Sequence, residues 1–353
     1  MGLQKESRPL MFPKIGRWGI IVVAFVIIYA GTKGFQFYLA LYKPSVVKTG
    51  VIYIRENDTF EQVSATLEKE GYLANPKTFA ITAQFKKYNS AVRPGAYKII
   101  QNWNNTQLVN TLRSGAQTPV NVTFNNIRQK ESLAGRLGKS LMADSLAFLS
   151  MLNNDSLIAA YGFTRETFPA LFIPNSYQFY WTTTPLKFAE RMKQEYDKFW
   201  NESRKAKAAR LGFTPVQVAT LASIVQEESN KNDEKPTIAG VYINRLRNKW
   251  PLQADPTIKF ALGDFTIKRI LNEQLTTDSP YNTYKNIGLP PGPINFPEIS
   301  SLEAVLNAPP HNYFYFCAKE DFSGYHNFAT SLSQHNANAR KYQAELNRRK
   351  IFK

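Results

Sequence analysis

The most continuous apolar stretch of the chain lies close to its start. Residues 18–32 carry no charge, Lys33 follows, and a largely apolar segment continues to Tyr42. A helix that crosses a bilayer needs about 17–25 predominantly apolar residues, a length that this segment reaches if the Lys33 side chain extends to the interface. No small-x-small cleavage site follows the apolar core, which argues against a cleaved signal peptide. We therefore predict a transmembrane helix at 18–42 and, by the positive-inside rule, a cytoplasmic basic tail at 1–17.

Alternating and helical patterns predict a small α/β unit at 43–118. Its predicted elements are a strand at 51–56, a helix that follows Asp58 and Thr59, a helix that begins at Pro76, and a strand after the turn at Pro94 and Gly95. This strand–helix–helix–strand order is typical of a small LysM-like glycan-binding unit. A stalk that only spaces the next domain from the membrane explains the pattern equally well.

The remaining pattern predicts a connecting α/β region at 119–200 and a final domain at 201–353, so the fold class of the chain is α+β. We predict a strand at 120–124, an aromatic turn at 171–180, a helix at 185–199, a basic loop at 203–212, helices at 237–247 and 331–348, and a buried strand at 312–318 paired with 325–329. The stretch 279–297 is dense in Pro, Gly, Asn and Tyr, which predicts a loop of the kind that lines binding sites.

The segment 214–230 has a well-marked helix start. Thr214 can cap the exposed backbone amides, Pro215 suits the first helical position, and Gln217 completes a capping box. A run of good helix formers follows. We predict that this helix forms the floor of a groove.

Glu228 lies on the apolar face of this predicted helix. At about 100° per residue, it falls within roughly 60° of Leu221, Ile224 and Val225, whereas Gln226 points almost opposite. A buried carboxyl group has a raised pKa, and a carboxylic acid that stays neutral near pH 7 is suited to general acid catalysis. Glu228 could instead have no catalytic role. It could lie at a frayed helix end or pair with one of the many Lys and Arg residues, and the helical wheel by itself favours this structural interpretation.

Composition narrows the function classes. The net charge is +17, from 44 Lys and Arg against 27 Asp and Glu, which suits an anionic membrane surface, an acidic polymer or nucleic acid. No compact nucleic-acid motif is present, so we predict no nucleic-acid partner. Cys317 is the only cysteine, which excludes an intramolecular disulfide. With three histidines and no phosphate- or dinucleotide-binding glycine loop, we expect neither a metal nor another cofactor.

Six short motifs occur in order along the second half of the chain. They are LASIVQEES (221–229), INRL (243–246), LQADPT (252–257), YNTY (281–284), GLPPGPI (288–294) and HNF (326–328). Upstream, IPNSY (173–177) is a variant of FPDTY, the sequence usual at this place in the family that the motifs resemble. With the apolar N-terminal segment and the LysM-like unit, these motifs resemble the YceG-like endolytic murein transglycosylases, the MltG proteins, over nearly the whole chain beyond about residue 20.

The resemblance implies a lytic transglycosylase. This family cleaves the β-1,4 bond between N-acetylmuramic acid (MurNAc) and N-acetylglucosamine (GlcNAc) within peptidoglycan and leaves a 1,6-anhydroMurNAc end. Its single catalytic glutamate matches Glu228, with Ser229 following. Relatives often carry Glu where this chain has Gln226, a departure on the opposite side of the helix from Glu228.

The resemblance also suggests residues that bind the substrate. Gln253, Asp255 and Thr257 would bind sugar hydroxyls or position the Glu228 helix. The 281–295 region would hydrogen-bond N-acetyl and hydroxyl groups through Tyr281, Asn282, Thr283 and Asn295. Asp-Pro-Thr is equally a plain helix start, and His326 is more simply a structural histidine than a substrate contact.

Two rival functions are also compatible with the sequence. Asp255 could be the second carboxylate of a hydrolytic muramidase. Alternatively, the chain could be a non-catalytic glycan-binding scaffold for cell-wall synthases. The family resemblance implies an inner-membrane protein with an extracytoplasmic catalytic domain. It also implies glycan strands as substrate, penicillin-binding protein synthases as partners, and a role in ending strand elongation.

Overall fold

The computed structural model describes residues 16–267 and 269–350. Most of the predicted basic tail at 1–17, and the basic end at 351–353, therefore lie outside the described residues. The chain divides into two compact units, one ending at Thr118 and the other beginning at Pro119. Helices and antiparallel strand pairs are mixed in both units, so the predicted α+β class is confirmed.

The first unit contains four helices and one strand pair in its described part. The elements are α1 (Arg17–Tyr42), β1 (Gly50–Ile54), α2 (Phe60–Lys69), α3 (Pro76–Phe85), β2 (Gly95–Ile99) and α4 (Asn105–Ser114). β1 and β2 pair antiparallel, from Gly50 opposite Ile99 to Ile54 opposite Gly95. The order β1–α2–α3–β2 is the predicted strand–helix–helix–strand, and Thr59 forms a capping box with Gln62 at the start of α2.

α1 is a 26-residue helix. Of the described elements, it is the one unbroken helix long and apolar enough to cross a membrane, with a mean hydropathy of 1.8. Its last turn is fastened to the rest of the unit, because the Ala40 carbonyl accepts hydrogen bonds from Thr82 Oγ1 at 3.0 Å and Asn105 Nδ2 at 2.9 Å. The helix is therefore compatible with a membrane anchor that continues directly into a folded unit.

The second unit consists of ten helices, two short 3₁₀ turns and two strand pairs within its described residues. The elements are β3 (Val120–Phe124), α5 (Lys130–Ser140), α6 (Ser145–Leu152), α7 (Asp155–Ala160), a 3₁₀ turn at Phe168–Leu171, β4 (Asn175–Phe179), α8 (Pro185–Phe199), α9 (Glu202–Leu211), α10 (Pro215–Glu228), α11 (Lys235–Arg247), α12 (Asp255–Leu262), a 3₁₀ turn at Gln274–Thr276, α13 (Ile299–Leu306), β5 (Tyr315–Ala318), β6 (His326–Ala329) and α14 (Leu332–Arg348).

Two hydrophobic cores organise the second unit. One surrounds α10, whose residues from Val218 to Val225 are all buried, with α11 and α13 packed against it. The other gathers β3, β4, α5, α6 and α8 around Phe188. α10 is thus the central helix of the core that carries the candidate acid.

Three sequence predictions are wrong in this unit. Residues 203–212 form α9 rather than a loop, because Asn201 caps the Arg204 amide at 3.0 Å and Gly212 ends the helix in the left-handed conformation. Part of the predicted turn at 171–180 is strand β4, which pairs antiparallel with β3. The strand β5 is shorter than predicted and half-buried rather than buried, although its predicted pairing with β6 is confirmed.

The 279–297 loop packs tightly on the turn before the first 3₁₀ helix. A Cβ atom on Gly292 would lie 2.0 Å from the carbonyl oxygen of Glu166. The backbone would have to move to admit any side chain there, and overpacking of this kind costs about 1–3 kcal/mol.

We predict that Gly292→Ala lowers the free energy of unfolding by about 1–3 kcal/mol, measured by urea denaturation of the full chain in detergent. Gly135→Ala is the matched control, since nothing lies within 4 Å of a Cβ there and alanine favours the interior of α5 by about 0.5–1 kcal/mol. Equal stability of the two variants would contradict the close packing of this loop.

Candidate active site

Helix α10 ends at the candidate acid. Its start matches the prediction, because Thr214 and Gln217 form a capping box and Pro215 occupies the first helical position. Glu228 is its last residue, and Ser229 turns the chain into extended conformation. The buried, well-capped body of α10 therefore holds Glu228 at a defined point where the helix emerges from the core.

The Glu228 carboxyl group is crowded by protein although the residue keeps part of its surface exposed. Burial raises the pKa of this carboxyl to about 7, with a smaller contribution from the nearby negative charge of Asp255. A hydrogen bond from Tyr242 and the positive charges of Arg245 and Lys259 act in the opposite direction. Near neutral pH the group is thus divided between its two protonation states, so it can both donate and accept a proton.

Tyr242 of α11 is the direct partner of this acid. Its hydroxyl donates a hydrogen bond of 2.6 Å to Glu228 Oε1, and its ring packs edge-on against Phe316 of β5. Burial and the neighbouring carboxylate raise the pKa of Tyr242, so the hydroxyl stays protonated and acts as a donor. Tyr242 therefore fixes one oxygen of the carboxyl group and leaves Oε2 free of this contact.

Arg245, one turn further along α11, holds this helix in place. The buried guanidinium donates to the carbonyl oxygens of Leu252 at 2.7 Å and Phe314 at 2.8 Å. These bonds tie α11 to the chain that precedes α12 and to the chain that leads into β5. They connect Tyr242 to the segment that carries the predicted Gln253 and Asp255.

Asp255 begins α12 and is exposed. Its carboxylate accepts a hydrogen bond of 2.5 Å from the hydroxyl of Tyr284. Burial, and to a smaller extent this bond, raises the pKa of Tyr284. Both residues interact electrostatically with Glu228. The structure thus brings the predicted Asp255 close to the predicted acid.

Thr257, Asn282 and Thr283 are buried and hydrogen-bonded within the protein. Thr283 Oγ1 accepts from the amide of Ala254 at 3.0 Å and lies 2.9 Å from Thr257 Oγ1. The Asn282 side chain donates to two carbonyls of the preceding turn and accepts from the Tyr284 amide at 2.9 Å. These three predicted residues therefore hold the loop in place and orient Tyr284 and the start of α12.

Gln253 and Tyr281 lie at the edges of this arrangement. Gln253 is exposed with a φ of +50°, and its amide donates to the Thr283 carbonyl at 3.0 Å. Its side chain is therefore presented to solvent beside Asp255. Tyr281 is half-buried and packs on Phe260, with 4.6 Å between the ring centroids.

Asn295 lies beside the end of α10 and is buried. Its Nδ2 donates to the Ser223 carbonyl at 3.1 Å and to Glu227 Oε1 at 2.9 Å, and its Oδ1 has no partner within the described chain. Glu227 forms a two-bond ion pair with Arg128, at 2.8 and 3.2 Å. A small pocket of about 50 Å³ opens here, and its lining comprises Arg128, Glu227, Pro256, Lys259, Phe265 and Ile294.

His326 has a structural partner. Its Nδ1 lies 2.8 Å from Glu234 Oε2, and its amide donates to Glu234 Oε1 at 2.7 Å. Ser229 Oγ also contacts Glu234, at 3.3 Å. His326 thus ties β6 to the turn that follows Glu228, which matches the structural alternative given for it.

Tyr242, Tyr284 and Arg245 lie around Glu228 but are not among the predicted site residues. Tyr284 belongs to the YNTY motif, whose other three residues are predicted site residues, so its position in the motif is a signal that could have identified it. Tyr242 and Arg245 lie on a different helix from Glu228. Arg245 belongs to the INRL motif, whereas only the packing of α11 on α10 brings Tyr242 to the acid.

The fold and site define a mixed α+β protein with a carboxylic acid at the end of a core helix. The sequence model of the YceG-like family matches residues 52–341, and the chain belongs to this family. The resemblance found in the motifs is confirmed.

Individual relatives agree. A Bacillus subtilis protein named endolytic murein transglycosylase is 27% identical over 84% of this chain and 85% of its own length. A Streptococcus pneumoniae protein of the same name is 28% identical over 84% of this chain, which spans 60% of that protein. The crystal structure of a YceG-like protein from Listeria monocytogenes is similar with a TM-score of 0.55 at 26% identity, over 82% of this chain and 98% of that one.

The raised pKa of Glu228 predicts a pH-dependent cost in stability. The folded protein keeps this proton up to about pH 7, whereas the unfolded chain releases it near the ordinary value of 4.5. Between these values the folded state binds more protons, so the free energy of unfolding falls as the pH rises through this range. The loss from this group is complete above the folded pKa.

We predict that Glu228→Gln stabilises the protein at pH 8 by about 1–3 kcal/mol and has little effect at pH 5. The amide keeps an oxygen to accept the Tyr242 bond and removes the buried charge. Urea denaturation at both pH values measures the difference. Glu303→Gln is the control, since Glu303 pairs with Arg204 at 2.7 Å, and no gain at pH 8 is expected. A Glu228→Gln effect of equal size at both pH values would contradict the raised pKa.

Proposed function

We propose that this chain is an endolytic murein transglycosylase that cleaves the β-1,4 bond between MurNAc and GlcNAc and leaves 1,6-anhydroMurNAc ends. The observation that carries the proposal is the Glu228 carboxyl, bonded to Tyr242 at 2.6 Å and with its pKa raised to about 7. The names of the relatives support the same activity. A lone acid of this kind suits a reaction in which one group must first give and then take a proton.

The proton transfers balance on Glu228 alone. Neutral Glu228 protonates the glycosidic oxygen as the bond to the MurNAc anomeric carbon breaks. The resulting carboxylate then takes the proton of the MurNAc 6-hydroxyl, whose oxygen forms the new bond to the anomeric carbon. The substrate N-acetyl group stabilises the oxocarbenium-like intermediate. No water is consumed, and the acid returns to its starting state.

Tyr242 sets which oxygen acts in this scheme. Its hydroxyl donates to Oε1, so the transferable proton lies on Oε2. The same bond stabilises the carboxylate formed in the first step. Tyr242 is therefore a positioning residue for the acid.

Asp255 has a different role from that of a hydrolytic base. Its carboxylate is engaged by the Tyr284 hydroxyl, and its charge raises the pKa of Glu228. Asp255 therefore helps to keep the acid protonated. In the rival muramidase mechanism it would instead activate a water molecule, which gives a different product.

The remaining predicted residues divide between contact and support. Gln253 and Tyr281 are the accessible candidates for hydroxyl and N-acetyl groups, whereas the buried Asn295 supports the end of α10 through its bonds to Ser223 and Glu227. Thr257, Asn282 and Thr283 support the loop through their internal bonds. We assign the catalytic domain to 201–353, the connecting region to 119–200 and a LysM-like glycan-binding subdomain to 43–118.

The proposed location follows from α1. α1 anchors the chain in the inner membrane at 18–42, with its N-terminus in the cytoplasm by the positive-inside rule and the catalytic domain outside. Nascent glycan strands emerge at this surface, so cleavage there would end their elongation. The proposed partners are penicillin-binding protein synthases, which act at the same surface. The excess of Lys and Arg side chains, which gives the net charge of +17, would attract anionic lipids and the acidic stem peptides of peptidoglycan.

We predict that un-crosslinked glycan strands treated with the full chain give internal fragments that end in 1,6-anhydroMurNAc, detected by mass spectrometry. Glu228→Gln is expected to abolish these fragments, because the amide cannot donate the proton. Glu303→Gln serves as the control glutamate and should retain them. Reducing ends with added water would support the muramidase hypothesis. Binding of glycan without cleavage by the wild type would support the hypothesis of a non-catalytic scaffold.

We also predict opposite shifts in the pH profile of kcat/KM. In the wild type the rate should fall as the pH rises through about 7, where Glu228 loses its proton. Asp255→Asn removes a negative charge and should move this limb to lower pH. Tyr242→Phe removes a bond that lowers the pKa of Glu228 and should move it to higher pH. Shifts in the same direction would contradict the assigned roles.

A further inference from the structure

Exposed aromatic and aliphatic side chains gather where α1 meets α3 in the first unit. Phe37 of α1 packs edge-on against Phe85 of α3, with 5.1 Å between ring centroids. Despite this contact, Phe37, Ile81 and Phe85 remain 37%, 46% and 59% exposed. An exposed apolar cluster of this kind marks a surface that meets another phase or partner.

α3 runs back along α1 toward the start of the chain. Thr82 of α3 bonds the Ala40 carbonyl near the end of α1, whereas Phe85, further along α3, contacts the earlier residue Phe37. The two helices are therefore antiparallel. The C-terminal end of α3 points toward the part of α1 that would lie in the membrane.

The length of α1 gives the depth of this contact. A bilayer's hydrocarbon core is about 30 Å thick, which is about 20 residues of helix at 1.5 Å each. Counted from Trp18, the first residue after Arg17, such a span ends near Phe37. Phe37 and its partner Phe85 would then lie where the hydrocarbon meets the lipid headgroups.

Cations surround the same place. Lys86 and Lys87 directly follow Phe85, and the exposed Lys33 and Lys43 of the α1 region line an open groove between α1 and α3. The groove has a volume of about 710 Å³ and a mainly apolar lining. Apolar rings at the acyl boundary next to lysines at headgroup level are the features of an interfacial membrane contact.

We propose that the C-terminal end of α3 is a second membrane-contact surface of this protein. Ile81 and Phe85 enter the outer boundary of the bilayer beside Phe37, and Lys86 and Lys87 bind the phosphates of anionic phospholipids. The surface fixes the first unit against the bilayer in one orientation. This inference rests on the proposed membrane anchor, because α1 defines the depth of the surface.

The test uses the full chain with Cys317→Ser, reconstituted in vesicles of anionic phospholipid. Single cysteines introduced by Ile27→Cys, Ile81→Cys, Phe85→Cys or Glu70→Cys carry an environment-sensitive fluorophore, and nitroxide-bearing lipids serve as quenchers. Ile27 lies near the middle of the proposed span. Glu70 is the exposed control position. It lies two residues before Tyr72, whose carbonyl oxygen accepts a hydrogen bond from the amide of Val47, a residue beyond the end of α1.

We expect at least about twofold quenching at positions 27, 81 and 85. The nitroxide near the headgroup should be the stronger quencher at 81 and 85, the nitroxide near the chain end should be the stronger at 27, and position 70 should be unaffected. Quenching at 27 with 81 and 85 matching position 70 would overturn the α3 surface and leave the anchor intact. Loss of quenching at 27 as well would refute the anchor itself.

The lysines are tested separately. Zwitterionic vesicles, or Lys86→Gln with Lys87→Gln, should reduce quenching at position 85 and leave position 27 unchanged. Equal quenching at position 85 in all these conditions would contradict the binding of anionic headgroups.

Discussion

A carboxyl group at the end of an apolar core helix has an electrostatic cost, because its charged form loses water and gains few compensating partners. In this chain the cost falls on Glu228. α10 cannot shift to expose the group, since its body is buried from Val218 to Val225 and its first turn is fixed by the Thr214 capping box. The protein therefore accommodates the group by keeping it protonated to about pH 7. The chemistry proposed for the site depends on this constraint.

The surrounding structure maintains the constraint without removing it. Tyr242 gives the carboxyl a single neutral donor, and Arg245 directs its own bonds to carbonyl oxygens rather than to the acid. A guanidinium paired directly with Glu228 would have held the carboxylate ionised. The buried Thr257–Thr283 contact keeps Asp255 nearby, and its negative charge favours the protonated acid. The site thus holds Glu228 rigidly in place but compensates the negative charge of its carboxylate only in part.

Local signals in the sequence predicted much of this arrangement. The start of α10, the order of elements in the first unit and the β5–β6 pairing depend on caps, turns and short-range periodicity, and all three are found. β4 was missed because its pairing partner, β3, is distant in the chain. α9 was missed because its basic composition obscured the Asn201 and Gly212 signals. Tyr242 and Tyr284 reach Glu228 only through the packing of separate elements, which helical periodicity within one segment does not contain.

The most direct test of the central claim is the titration of the Glu228 carboxyl itself. In full chain labelled with ¹³C at the glutamate carboxyl carbons, the resonance absent from Glu228→Gln identifies the group, and its chemical shift is followed against pH. We predict a midpoint near 7, well above the ordinary glutamate value of 4.5. A midpoint near 4.5 would show that Glu228 is ionised at neutral pH and would contradict the general-acid role proposed for it.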